Sequence, residues 1–220
     1  MSVQVKTGAF ELGVRRVAWL MMWSIGAILC AGLALFSYRY LLQLDDVPPI
    51  IARNVLKNPW LLVHVAGAAT ALLVGPVQFS SGLRTRFRSI HRWIGRIYVL
   101  SCLVGGVGGF LLALGASTGP ISTMGFGSLA IVWIVATSLA WRRAMQRRFI
   151  EHRAWMIRSF ALTLAAVTLR LYLPMASFLP VHFDDAYRAI SFLSWVPNLL
   201  VAELYLRHRA LLKSTSLPVR

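Results

Sequence analysis

Six apolar runs, each near the length of a helix that crosses a lipid bilayer, follow one another along the chain with short polar breaks between them. A spanning helix needs about 20 mostly apolar residues, and inside hydrocarbon a helix is one of only two ways to satisfy every backbone N–H and C=O. The runs are Val17–Leu42, Pro59–Phe79, Trp93–Gly115, Ile121–Trp141, Ala154–Pro174 and Ala189–Leu206. They predict an all-α, polytopic membrane helical bundle with spans two to five as core and spans one and six flanking. Residues 1–16 are then an N-terminal segment, 17–206 one six-span membrane domain, and 207–220 a C-terminal tail. The first run follows Arg15 and Arg16 but is longer than the apolar part of a signal peptide and has no small-residue cleavage site after it, so it reads as a retained anchor. The sixth run contains Pro197 and is the least regular.

The charges agree with this. Only 14% of residues are charged and 58% are hydrophobic, whereas a soluble domain carries about a quarter charged residues. The 23 Lys and Arg far outnumber the 7 Asp and Glu. Blocks of arginine between apolar runs fit anionic lipid headgroups, not nucleic acid. With the N-terminus inside, the inner segments hold Lys6, Arg15 and Arg16, the group from Arg84 to Arg96, the group from Arg142 to Arg158, and Arg207, Arg209, Lys213 and Arg220. The outer segments hold only Arg39, Arg53, Lys57 and Arg188, together with Asp45, Asp46, Asp184 and Asp185. This bias predicts a multi-pass protein of the bacterial cytoplasmic (inner) membrane with both termini cytoplasmic. Cys30 and Cys102 lie in separate runs and form no metal or redox motif.

Polar residues inside a span are costly and turn inward. In span two His64, Gly67, Ala71, Gly75 and Gln78 recur at steps of three or four, as do His91, Gly95, Tyr98, Cys102, Gly105 and Gly109 in span three. Span five repeats the pattern with His152, Met156, Ser159, Thr163, Ala166 and Arg170. At this spacing each set shares one helix face. The polar interior is therefore expected to hold Gln78, Tyr98, Ser159, Thr163 and Arg170. The small residues fit two uses equally, close helix packing or room for a flat cofactor. His91 and His152 stand at the inner ends of their helices and His64 near an outer end. A facing pair of imidazoles can ligate haem iron from both sides, with Arg92, Arg96, Arg153 and Arg158 able to hold its propionates. The same His-Arg-Trp-Arg segments also suit a membrane boundary with no cofactor. Arg170, if it points inward, needs a carboxylate, a carbonyl or an anionic ligand, and Asp184, Asp185 and His182 are its nearest candidates in sequence. Glu203 is expected to pair with an inner arginine.

The runs Gly75-Pro76-Val77-Gln78-Phe79, His91-Arg92-Trp93-Ile94-Gly95-Arg96-Ile97-Tyr98, His152-Arg153-Ala154-Trp155-Met156-Ile157-Arg158-Ser159-Phe160-Ala161-Leu162 and Thr168-Leu169-Arg170-Leu171-Tyr172-Leu173-Pro174 resemble an uncharacterised family of predicted multi-span bacterial membrane proteins. The resemblance covers about residues 60 to 175 and implies a membrane protein carrying a domain of unknown function, with no activity attached. A looser resemblance, six spans with histidines on inner helices, is to the transmembrane di-haem b cytochromes, the ascorbate-reducible type included. Those have a histidine ligand on each of four core helices. Here His64, His91 and His152 match three, while span four, Ile121–Trp141, has none. One haem site from His91 and His152 is compatible with that pattern, and a second lacks a ligand opposite His64.

Three function classes follow. The first is a haem-b-binding electron-transfer protein, working with quinone or a redox partner; any enzymatic role is then that of a membrane oxidoreductase. The second is a non-enzymatic protein whose arginine-rich cytoplasmic loops bind anionic lipid or a partner protein. The third is a small-molecule transporter with an anion site near His64 and Arg170, although span centres carry no acidic coupling residue and show no inverted repeat. No phosphate-binding loop, nucleophile elbow or HExxH motif is present.

Overall fold

A computed structural model describes residues 2–42, 47–178 and 180–215, and all its regular elements are helices. Asp45, Asp46 and the tail 216–220, with Arg220, lie outside the described residues, as do the side chains of Lys6, Arg15, Arg16 and Lys213. The elements are α1 (Ser2–Leu42), α2 (Pro49–Ala52), α3 (Lys57–Gln78), α4 (Ser81–Arg86), α5 (Arg88–Leu114), α6 (Pro120–Met145), α7 (Phe149–Thr163), α8 (Ala165–Ala176), α9 (Phe183–Leu193) and α10 (Val196–Thr215). Six stretches are long and apolar enough to cross a membrane: Leu20–Leu42, Lys57–Gln78, Arg88–Leu114, Pro120–Met145, Phe149–Ala176 and Phe183–Leu212. Spans three to six each overrun an expected bound by a turn or more, because boundary residues such as Arg88 and Phe149 continue the hydrogen-bonded spiral outside the apolar run. Fold class and number of spans agree with the sequence.

The local chemistry sets the connections. Pro76 lacks an N–H, and α3 ends two residues later. Ser80 then caps α4 by accepting a bond from Leu83 N at 3.4 Å. The turn into α6 passes through Gly119 at φ +91, a conformation that favours glycine, and Pro120 starts the helix. Spans five and six are each broken in the middle. In span six the break falls at Ser194 and Trp195, just before Pro197, whose ring cannot continue the ladder. Span five has no proline at its break, Leu164. Instead Thr163 and Thr168 turn their hydroxyls back to the carbonyls of Ser159 and Leu164, a bonding habit that bends helices.

Helices α3, α5, α6 and α7 pack in a ring, each on the next, with α7 returning to α3. Helix α1 lies outside on α3, and α9 and α10 lie on α6 and α7. The first and last spans bury 17% and 22% of their most apolar windows, against 33% to 44% for the four between, so the middle four are the core. The main cluster of that core includes Ala71, Tyr98, Cys102, Trp133, Ala136, Leu162 and Ala165. One end of the bundle, where α3 and α6 finish and α5 and α7 begin, collects the arginines from Arg84 to Arg96 and from Arg142 to Arg158; it is here called the basic end.

Candidate functional site

Two of the three small-residue lines face each other directly. A Cβ on Gly67 would stand 2.3 Å from the backbone N of Gly105, and one on Gly108 would stand 2.6 Å from the N of His64. Helices α3 and α5 therefore meet backbone to backbone, as small residues permit in membranes. That contact leaves no slot between them for a flat group at this level. His64 is part of the same seam. Its Nδ1 lies 2.8 Å from the Gly105 carbonyl oxygen. A carbonyl only accepts, so Nδ1 carries the proton and Nε2 is the acceptor nitrogen.

Deeper in the ring, polar groups from three helices close on one another. The Tyr98 hydroxyl on α5 lies 3.0 Å from both Ser159 Oγ and Thr163 Oγ1 on α7. From α6, Trp133 Nε1 donates to Thr163 Oγ1 at 3.0 Å, and Thr137 Oγ1 lies 2.7 Å from Ser159 Oγ. Tyr98, Thr137 and Ser159 have no exposed surface, and Thr163 is 4% exposed. Cys102, also fully buried, lies against these hydroxyls. Every member has a partner, so the group holds three helices together and leaves no donor over for a ligand. Span four supplies two of its members, Trp133 and Thr137, which sequence reasoning overlooked because it sought histidine there. The signal was present: Ala130, Trp133, Ala136, Thr137 and Ala140 recur at helical spacing.

At the basic end the polar groups are less satisfied. Gln78, at the last residue of α3, is 6% exposed, and its Nε2 has no hydrogen-bond partner among the described residues. Its Oε1 would lie 3.5 Å from a Cβ on Gly95 of α5. One turn towards the end of that helix stands His91, whose buried Nδ1 likewise has no partner among the described residues. His152, from the first turn of α7, is within electrostatic reach of His91. Its Nδ1 lies 2.8 Å from the Ala140 carbonyl oxygen of α6. A carbonyl only accepts, so Nδ1 donates this bond, as metal-bound histidines do with one ring nitrogen while the other, here Nε2, faces the metal. The described residues contain no group of three or more His, Cys, Asp or Glu able to hold a metal ion.

The four arginines expected around this pair differ in their surroundings. Arg92, Arg96 and Arg153 are exposed, and Arg96 stacks over the exposed ring of Trp93 at 4.7 Å. Arg158 is held by Glu203 of α10 in a two-pronged pair, Nε to Oε1 at 2.5 Å and Nη2 to Oε2 at 2.9 Å. Glu203 thus pairs with an arginine of the basic end. The cation that reaches His91 is Arg84, which also donates to the Phe79 carbonyl at 3.1 Å.

Arg170 occupies the opposite half of the bundle, on α8. It donates to the Ala166 carbonyl at 3.2 Å and to Ser37 Oγ of α1 at 2.8 Å. None of the candidates nearest in sequence meets it. Asp184 pairs with Arg53 at 3.2 Å, Asp185 pairs with Arg188 at 2.7 Å, and His182 is exposed at the head of α9.

Over residues 61–206 the chain matches the family model described as Predicted membrane protein (DUF2306). No curated protein and no solved structure matches it.

Proposed function

The chain belongs to the DUF2306 family of predicted membrane proteins, and we propose from that premise that its activity resides at the basic end, in the group formed by His91, His152 and Gln78. The observation that carries this reading is the contrast in satisfaction. The hydroxyls around Tyr98 use one another up, whereas His91 Nδ1 and Gln78 Nε2 are buried without partners among the described residues. A buried polar atom left unpaired costs about 1–3 kcal/mol, a cost that a bound ligand removes.

The ligand we propose is haem b, held by His91 and His152, in a protein that passes electrons within the membrane. Three features support it. The histidines stand at the same end on two different helices, they reach each other electrostatically, and the Nδ1 bond of His152 to Ala140 leaves its Nε2 as the nitrogen for a ligand. The closed α3–α5 seam and the Tyr98 hydroxyls confine any such group to the outermost turns of the core. Arg84 then joins Arg92, Arg96 and Arg153 as a cation available to an acidic substituent, whereas Arg158 is taken by Glu203. We further propose that the basic end faces the cytoplasm, following the arginine bias.

The outward turn of Arg92, Arg96 and Arg153 favours a second reading, in which this end binds anionic headgroups. Spectroscopy separates the two. Protein purified from haem-replete cells should show a Soret band that His91→Ala and His152→Ala each abolish or shift. No band, or one indifferent to both changes, leaves the headgroup reading in its place.

A further inference from the structure

We infer a second site in the other half of the molecule, where Arg170 receives a phosphate oxygen between α1 and α8. It is independent of the histidine group and of what that group binds. The argument begins with the cost of a guanidinium inside a span. Arg170 stands six residues before the end of α8, about 9 Å along the axis at 1.5 Å per residue. A charge there is tolerated when it is paired, bonded to carbonyls or drawn towards a headgroup.

Among the described residues, its partners are one carbonyl and one serine hydroxyl, both uncharged. These take two of the five N–H donors of a guanidinium. The described carboxylates are engaged elsewhere: Glu151 by Arg143 and Arg148, Glu203 by Arg158, Asp184 by Arg53, and Asp185 by Arg188. Among the described residues, the nearest further groups on α1 are the phenol of Tyr40 and Arg39, which itself donates to that phenol at 3.1 Å. His64 is also within reach, and its Nδ1–H is already given to Gly105. Ser37 donates to the Leu33 carbonyl at 2.7 Å, so its oxygen is free to accept from Arg170.

The approach to this place is apolar. Phe36 beside it on α1 and Leu171 on α8 are 50% and 54% exposed, as residues facing lipid chains are. The anion that reaches Arg170 therefore comes along the membrane boundary, and a phosphate offers the paired oxygens that a guanidinium fork matches. Such a phosphate belongs either to a lipid headgroup or to a soluble anion.

Native mass spectrometry of the purified full chain, titrated with phosphatidylglycerol, tests this. Wild type should retain the lipid about tenfold more tightly than Arg170→Gln, in line with loss of a charge-assisted contact. Arg170→Lys, which keeps the charge without the fork, should fall between them and guards against a glutamine variant that fails to fold. Arg188→Gln, at the same end and already paired with Asp185, should behave as wild type. If inorganic phosphate leaves retention unchanged, the site takes a lipid; if it competes, the site takes a soluble phosphate. Equal retention by Arg170→Gln and wild type overturns the inference. A gain of retention in the Asp45→Asn, Asp46→Asn double variant also overturns it, by making the chain's own carboxylates the occupant.

Discussion

Helix α5 is held on its two sides by opposite means. Towards α3 the contact is backbone on backbone, through Gly67, Gly105 and Gly108. Towards α7 it is a long side chain, Tyr98, reaching across to hydroxyls. Lipid tails are as apolar as leucine, so neither contact is driven by the hydrophobic effect; packing and interhelical hydrogen bonds do the work. The first kind tolerates no added atom, because backbone cannot move aside. The second can lose a hydroxyl and let its neighbours regroup. Rigidity in this bundle is therefore concentrated between α3 and α5.

Substitutions on the two sides should separate sharply in thermal or denaturant unfolding of the detergent-solubilised protein. The largest effect is expected from Gly67→Ala, whose new methyl meets Gly105 N at 2.3 Å. Overpacking of this kind costs about 3 kcal/mol. A loss below about 1 kcal/mol, typical of ordinary surface or propensity effects, would show that the two helices slide apart freely.

Tyr98→Phe should cost less, about 1 kcal/mol, since interhelical hydrogen bonds in membranes average about 0.6 kcal/mol each and two are removed. Thr137→Val, which removes a single bond to Ser159, should cost about half that, and the two changes together should not add, because Ser159 is common to both. Full additivity would mean that the hydroxyls act as separate pairs. The smallest effect belongs to a glycine outside both contacts. Gly32 on α1 has no atom of the described residues within 4 Å of an added Cβ, so Gly32→Ala should change stability by less than about 0.5 kcal/mol.

The spans and the lines of polar residues were legible in the sequence because both follow from periodicity. Gln78, Tyr98, Ser159 and Thr163 are buried, as the phase of their helices implies. What periodicity does not encode is which line meets which. The small residues of spans two and three allowed either packing or a cofactor slot, and only the register of Gly67 against Gly105 distinguishes them. Arg170 shows the same limit. Its partner Ser37 lies 133 residues away on a helix from which no polar line had been drawn, while the acids nearest in sequence are claimed by Arg53 and Arg188. The break at Leu164 was equally hidden, since it has no proline and depends on hydroxyl groups bonding backwards.

The separation between Tyr98 and its partners also bears on the order in which the bundle is made. Ser159 and Thr163 follow Tyr98 by 61 and 65 residues, so a chain emerging from its N-terminus delivers the phenol long before the groups that bond it. The α3–α5 hairpin needs nothing downstream: Gly67, His64, Gly105 and Gly108 are all in place once the third span has formed. It can enter the bilayer as a finished unit with one unpaired hydroxyl on its flank. That hydroxyl marks where the fifth span must later dock, and it penalises any arrangement in which another helix takes its place.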